Sequence, residues 1–227
     1  MKETPTDVML KQKRKVAEQI LGSLPNPCLK YGASVMMDTS TLNLAAINPG
    51  PGELTVKAPK EVIIMPLEKS DKESLTGLFS IFPQNKDKLT ALHAARWQNG
   101  LLIIIPKNAN VSIKISSKSK TDAIQHLLIT VEQNAKACIT YETQADQFFS
   151  GAIELFAKRN AIVEVTRTLR GKSSSFDYKI AKLDEASSVK WIACYTNCAF
   201  LRSETISLLS GRESTASIKT IFMVKKF

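Results

Sequence analysis

The chain has 227 residues, 44% apolar and 23% charged, and its 31 Lys and Arg outnumber its 21 Asp and Glu to give a net charge of +10. That balance excludes a disordered or fibrous chain, and the longest unbroken apolar run, Leu101 to Ile105, falls far short of the about 20 residues of a membrane helix. The polar start, Met1-Lys2-Glu3-Thr4-Pro5-Thr6-Asp7, lacks the apolar stretch of a secretory signal, so a cytoplasmic protein with no membrane association is expected.

The first predicted element is a helix. Thr4-Pro5-Thr6-Asp7 supplies a capping residue, a proline at the first helical position and an acid three residues on, and Gly22 ends the pattern. Met9, Val16 and Ile20, flanked by Leu10, Ala17 and Leu21, form the predicted apolar stripe. Pro25, Pro27, Pro49, Pro51 and Gly52 then argue for extended, turning chain. Val62-Ile63-Ile64-Met65, between Pro59 and Pro66, reads as an entering or edge strand, because proline cannot donate to a ladder. Ser70 with Glu73 predicts a capped helix through Leu75, Leu78, Phe79 and Phe82 that Pro83 terminates. Leu89, Leu92, Ala95 and Arg96 predict another short helix before Asn99-Gly100.

From Leu101 onward the chain turns to short Ile, Val and Thr runs, and a repeat emerges. Asn108-Ala109-Asn110-Val111-Ser112-Ile113 recurs as Asn134-Ala135-Lys136-Ala137-Cys138-Ile139 and as Asn160-Ala161-Ile162-Val163-Glu164-Val165, at intervals of 26 residues. Weaker echoes at Glu185-Ala186-Ser187 and Glu213-Ser214-Thr215 place their small residues 25 and then 28 residues further on. A period of this length marks one supersecondary unit stacked on its neighbours. Two short strands per unit and no helical pattern within it favour a parallel β-helix, with the polar-small pair at the corner; a β-sandwich is the alternative. The expected architecture is therefore mainly β: a right-handed parallel β-helix of about five coils over 101–227, preceded by a helical and mixed α/β region over 1–100.

Several of these passages resemble a known family. Ala58-Pro59-Lys60-Glu61-Val62-Ile63-Ile64-Met65-Pro66-Leu67 resembles the entry segment of the SufB/SufD family, and Leu92 to Lys107, HAARWQNGLLIIIPK after its leucine, is similar to that family's signature passage. Val131-Glu132-Gln133-Asn134-Ala135 and Leu209-Ser210-Gly211-Arg212-Glu213 sit where the family places its corners. Leu24-Pro25-Asn26-Pro27-Cys28-Leu29-Lys30-Tyr31 looks more like the SufD branch, with Tyr31 matching and Leu29 replacing an aromatic residue. The resemblance implies a non-catalytic scaffold of the SUF iron–sulfur cluster assembly system, working with a SufB-like paralogue and a SufC-like ABC ATPase. It also implies that any iron–sulfur cluster is transient and formed in the assembled complex, with no resident cofactor. Family members continue with further coils bearing their functional residues and a helical segment that grips the ATPase. A shortened member is therefore expected, and no family site residue transfers. It is expected to expose an unpaired edge near Ser217 to Val224, open to a partner or to self-association.

Four cysteines, Cys28, Cys138, Cys194 and Cys198, are too scattered for a disulfide framework, so reduced thiols are expected. Cys194 and Cys198 form the only close pair, but strand spacing separates them by about 13 Å unless Tyr195-Thr196-Asn197 turns back, so they are weak metal candidates. Cys28, flanked by prolines, is a third weak candidate and the one expected to be most exposed, whereas Cys138 is expected in the core or the coil wall. Nothing in the sequence places His93 and His126 near each other or near a carboxylate. No GxSxG, P-loop, GxGxxG or CxxC is present, which favours a non-enzyme. Lys107, Lys114, Lys118 and Lys120, near Arg96, raise the rival of a nucleic-acid-binding protein, but no aromatic residue interleaves them between Trp97 and Tyr141. A β-helix enzyme, lyase or acyltransferase, is a second rival, and a family copy with no independent activity is a third.

Overall fold

The computed structural model describes residues 4–31, 35–38 and 42–223, with the backbone alone for 28–31 and 35–38. Helix α1 (Pro5–Leu21) is followed by an antiparallel hairpin, β1 (Cys28–Tyr31) and β2 (Val35–Asp38). Strands β3 (Glu53–Lys57) and β4 (Ile63–Pro66) precede α2 (Lys88–Arg96). The coils then run through β5 (Asn99–Ile105), β6 (Asn110–Ser119), β7 (Ala123–Val131), β8 (Lys136–Ala145) and β9 (Phe149–Ala157). They continue through β10 (Ile162–Gly171), β11 (Ser174–Leu183), β12 (Ser188–Thr196), β13 (Phe200–Leu209) and β14 (Thr215–Met223).

These strands build two six-stranded walls, in the orders β14-β12-β10-β8-β6-β3 and β13-β11-β9-β7-β5-β4. All pairings from β5 to β14 are parallel, and β3 and β4 close the first coil antiparallel to β6 and β5. The chain is thus a parallel β-solenoid of about five coils. Side chains stack in columns through it. Ile113, Ile139, Val165 and Trp191 stand in one register, each at most 2% exposed. The next residue of that column, Ile218 on the terminal strand, is 50% exposed because no described strand lies beyond it.

The corners explain the repeat. Asn108, Asn134 and Asn160 take φ of 62°, 60° and 59°, a left-handed conformation that asparagine tolerates better than most side chains. Their amides form a ladder, with Asn134 Nδ2 donating to Asn108 Oδ1 at 3.1 Å and Asn160 Nδ2 to Asn134 Oδ1 at 2.9 Å. In the fourth corner it is Ala186, with φ of 52°, that takes the asparagine position, while buried Ser187 replaces Ala161. The weak echoes are therefore corrected. Ile162 pairs with Ser188 at the same 26-residue offset as the earlier coils, and only the last coil, Ser188 on Thr215, carries one extra residue.

Two further sequence expectations change. On α1 the buried line is Thr6, Leu10 and Ala17, and Val16 is 50% exposed. The centre of that line is Arg14, whose guanidinium lies 4.1 Å from the centroid of the Trp97 ring and donates to the Trp97 carbonyl at 3.0 Å. An apolar-only count shifts the stripe because it discards an arginine that packs through its stem and its flat face. Over residues 70–82 no α-helix forms. Asp71 Oδ1 accepts from the Ser74 N–H at 2.8 Å, and a run of turns links Leu75 to Lys72, Leu78 to Leu75 and Ser80 to Gly77. Leu75, Leu78, Phe79 and Phe82 are buried as expected, but Phe79 is left-handed at φ 58°, which a helix cannot hold.

This N-terminal region packs on the outer face of the β5–β13 wall through an apolar cluster that includes Leu10, Leu75, Phe82, Leu92, Trp97, Leu128 and Phe176. The outer face of the opposite wall stays in water, and its strands alternate accordingly.

Candidate functional site

The solenoid interior is apolar toward the repeat corners and again at the far corners, where Ala145, Phe149 and Leu169 pack, and a polar band runs between the two. Gln125 lies in register with Gly151, Asp177 and Ser203, one residue per coil. Tyr141 lies in register with Arg167 on the facing wall. From these columns grows a buried polar seam. At its start Gln125 Oε1 accepts from Ser117 Oγ and from the Tyr141 hydroxyl, both at 2.8 Å. At its centre Arg167 Nε donates to Asp177 Oδ1 at 2.8 Å while its Nη1 donates to Thr143 Oγ1 at 2.9 Å. The guanidinium stacks 4.1 Å from the Tyr141 ring centroid. Lys179 Nζ donates to Asp177 Oδ2 at 3.0 Å and to Ser203 Oγ at 2.8 Å, and the Tyr195 hydroxyl donates to Asp177 Oδ2 at 2.7 Å.

Arg167, Asp177 and Lys179 are each at most 2% exposed, so three formal charges are held without water. Burial alone would raise the Asp177 carboxyl, but Arg167 and Lys179 beside it hold it well below the usual carboxylate range. Burial pushes the Tyr195 phenol far above its ordinary value, so it stays protonated and donates. The seam is a fixed array of donors around one carboxylate, and it ends at Ser203 in the terminal coil.

That coil is the second feature. Its inward positions Ile218 and Phe222 are 50% and 58% exposed, and Phe222 stacks on Tyr195 at 5.5 Å between centroids. With Ile221, Met223, Leu208 and Leu209 also exposed, the last coil among the described residues presents an apolar surface, and β14 pairs on one side only with a described strand. The expected edge is present through Met223, and Val224 lies outside the described residues.

The cysteines are placed apart in environment. Cys194 faces outward on β12, between Thr168 and Ile221 in register. Asn197, at φ 60°, does turn the chain, and it brings Cys198 against the small interior cluster of Ala145, Phe149, Leu169 and Tyr195, next to Gly171. Burial raises the Cys198 thiol above its ordinary range, which makes it a poorer metal ligand. Cys138, Cys194 and Cys198 are all free thiols, and Cys138 is exposed on the outer face of the wall, not in the core. The side chain of Cys28 lies outside the described residues. Among the described residues no group of three or more His, Cys, Asp or Glu is placed to share a metal ion. Of the basic stretch, Lys114 pairs with Glu142 at 2.9 Å and Arg96 on α2 with Glu18 at 2.7 Å.

A model for the SufBD core domain of SUF-system FeS cluster assembly matches residues 97–226. The chain belongs to the SufB/SufD family. The match covers the solenoid and assigns the protein a role in iron–sulfur cluster assembly by the SUF system. A search of curated proteins finds no match. No helix among the described residues is long and apolar enough to cross a membrane.

Sequence reasoning missed the seam, although the family repeat carries its signal. Arg167 stands in register with Tyr141 and Ile115 on one side and Ala193 on the other, and Lys179 with Ile153 and Leu127. A charge in a column that is otherwise uncharged marks a buried network. The histidines are a correction of the same kind. His93 Nε2 lies 3.1 Å from His126 Nδ1, and His126 Nε2 lies 2.8 Å from Glu154 Oε2, all three fully buried between α2 and the β5–β13 wall. Residues 33 and 28 apart in sequence meet there because α2 folds back across two adjacent coils.

Proposed function

We propose that this SufB/SufD-family chain is a SufD-like, non-catalytic scaffold subunit that works in the cytoplasm with a SufB-type paralogue and a SufC-type ATPase. Residues 101–227 act as the assembly rod and residues 1–100 cover one wall of it. ATP turnover comes from the ATPase partner, and clusters form on the assembled complex, not on Cys28, Cys194 or Cys198 alone. The observation that supports this reading best is the terminal coil, where the column Ile113, Ile139, Val165 and Trp191 runs out into half-exposed Ile218. Extending that column onto another chain would bury apolar surface and satisfy the free strand edge together.

Co-expression with a SufB-type paralogue and a SufC-type ATPase, followed by anaerobic purification and light scattering, tests it. A stoichiometric complex is expected, and Ile218→Asp with Phe222→Asp should dissolve it while the circular dichroism of the rod is kept. A wild-type chain that binds neither partner, or a complex indifferent to the double substitution, overturns the reading.

A further inference from the structure

The chain has two histidines, and both lie in one buried hydrogen-bonded relay that joins the N-terminal region to the solenoid. Its anchor is Glu154 on β9. Glu154 Oε2 accepts the Phe79 N–H at 2.6 Å, and Oε1 accepts the N–H groups of Ile81 at 3.1 Å and Phe82 at 3.0 Å. His126 Nε2 adds a fourth contact to the same carboxylate at 2.8 Å. With three backbone donors on its oxygens, the carboxylate takes His126 Nε2 as its fourth donor. A His126 that donates at Nε2 has its Nδ1 facing His93 Nε2 as the acceptor. Neutral His93 in turn accepts at Nδ1 from the Ser150 hydroxyl, 2.8 Å away. One anchoring carboxylate thereby dictates both tautomers and the serine rotor.

The relay fastens two separate pieces of the cover. His93 sits on α2, and Phe79, Ile81 and Phe82 belong to the turn segment before it, while His126, Ser150 and Glu154 are strand residues of the solenoid. Phe79 is held at φ 58°, a left-handed conformation unfavourable for a non-glycine residue, and its N–H is captured there by Glu154. Around the two imidazoles the other neighbours are aromatic rings. Phe82 tilts over His93 at 4.9 Å between centroids and Phe79 meets His126 at 4.7 Å. From β11 Tyr178 lies edge-on to His93 at 6.1 Å, its hydroxyl without a partner and its ionisation raised by burial. From β13 comes Arg202, which is taken up by Asp87 at the start of α2 and by Glu204.

We propose that this relay is a proton-sensitive latch: it closes the N-terminal cover on the solenoid wall while His93 is neutral, and proton uptake at His93 releases the cover and leaves the rod intact. A proton added at His93 Nδ1 would turn the Ser150 contact around, and would place a cation among the rings of Phe82, Tyr178 and His126. Burial, with His126 beside it, already holds His93 well below its ordinary value of 6.5. A histidine whose folded-state value is depressed contributes stability above its unfolded value and loses it as pH falls below that value. Cover opening is therefore favoured about tenfold more for each pH unit below 6.5. Histidine is the side chain that ordinarily titrates between pH 5 and 8, and this relay holds both copies.

The test uses the full chain. Nitrogen-15 spectra at pH 7.5 should show His93 as a neutral ring protonated at Nε2, and an imidazolium or an Nδ1–H tautomer at His93 would overturn the assignment. Hydrogen exchange from pH 7.5 to pH 5, corrected for the intrinsic rate, should show the amides of Phe79, Ile81 and Phe82 losing at least tenfold protection at the pH where the His93 ring protonates, while β8 and β10 keep theirs. Amides that stay protected after that ring protonates, or uniform loss across the rod, would sink the latch. His93→Gln should remove the pH dependence of that opening. If this variant fails to fold, the coincidence of ring protonation and amide opening in the wild-type chain decides the matter.

Discussion

The two walls of the solenoid are made of the same repeat and obey different rules. The wall with β8 and β10 alternates strictly, exposed then buried, and apart from Arg167, which turns inward into the seam, charges such as Lys114 with Glu142 and Lys190 with Glu164 stand outward, each 40% exposed or more. On the covered wall β7 and β9 are buried on both faces. A polar residue there is either inside the rod, as Asp177 and Lys179 are, or under the cover, as His126 and Glu154 are. The outer face of the wet wall carries a charge at little cost, whereas a charge inside the rod or under the cover is held by opposite charges and hydrogen bonds.

The largest effect that would break this contrast is at Asp177. Asp177→Ala leaves Arg167 and Lys179 buried and uncompensated, and should cost about 3–5 kcal/mol in urea unfolding. Because the folded-state carboxyl lies below its ordinary value of 3.8, its contribution is present above that pH and lost as pH falls through the folded value. Asp177→Asn should accordingly flatten the acid limb of the stability profile below about pH 3.8. Second comes Glu154→Ala, which strands three backbone N–H groups and one imidazole, for about 2–4 kcal/mol. The loss should localise, with exchange rising in residues 75–96 before the strands. Equal exposure of both regions would show that the cover and the rod open as one unit.

Much of this organisation was legible in the sequence, for a physical reason. Coils stacked about 4.8 Å apart must repeat in register, so Asn108, Asn134 and Asn160 recur visibly, and the family match over residues 97–226 spans the same coils. What escaped was whatever the repeat substitutes or the cover adds. Ala186 hid the fourth corner because an alanine at φ 52° imitates the small residue next to it instead of the asparagine it replaces. Phe79 to Phe82 read as a helix because Glu154, more than 70 residues later, takes the N–H groups a helix would have used. The predicted stripe on α1 passed over Arg14 because its partner, Trp97, is 83 residues away. The seam failed to stand out because β11, Ser174 to Leu183, shows one apolar face, Phe176, Tyr178 and Ile180, which reads as the interior although it lies under the cover. Only alignment to the neighbouring coils puts Asp177 and Lys179 inside.

The corners offer a smaller test that sharpens the comparison between coils. Asn134→Ala keeps the left-handed backbone and removes both rungs of the amide ladder, for a loss of about 1 kcal/mol in chemical denaturation. Ala186→Gly relieves a strained position at φ 52° where no ladder exists, and should gain about 0.5–1 kcal/mol after the extra freedom of glycine in the unfolded chain is deducted. Opposite signs at two equivalent corners would show that the asparagines are selected by backbone conformation and by the ladder together. A loss at Ala186→Gly would mean that its corner is not strained.

The smallest effect is expected on the wet wall, at Lys114 and Glu142. Their Nζ and Oε2 atoms stand 2.9 Å apart, a distance as short as that between Lys179 and Asp177, yet both side chains are about half exposed. Water screens the attraction and each side chain gives up rotamer freedom to make it, so a double-mutant cycle to alanine should return a coupling of no more than about 0.5 kcal/mol. The same cycle at Lys179 and Asp177 should return several times more, because neither group can be rehydrated without opening the coil. Equal couplings at the two pairs would mean that distance alone governs them, and the distinction between the walls would fall with it.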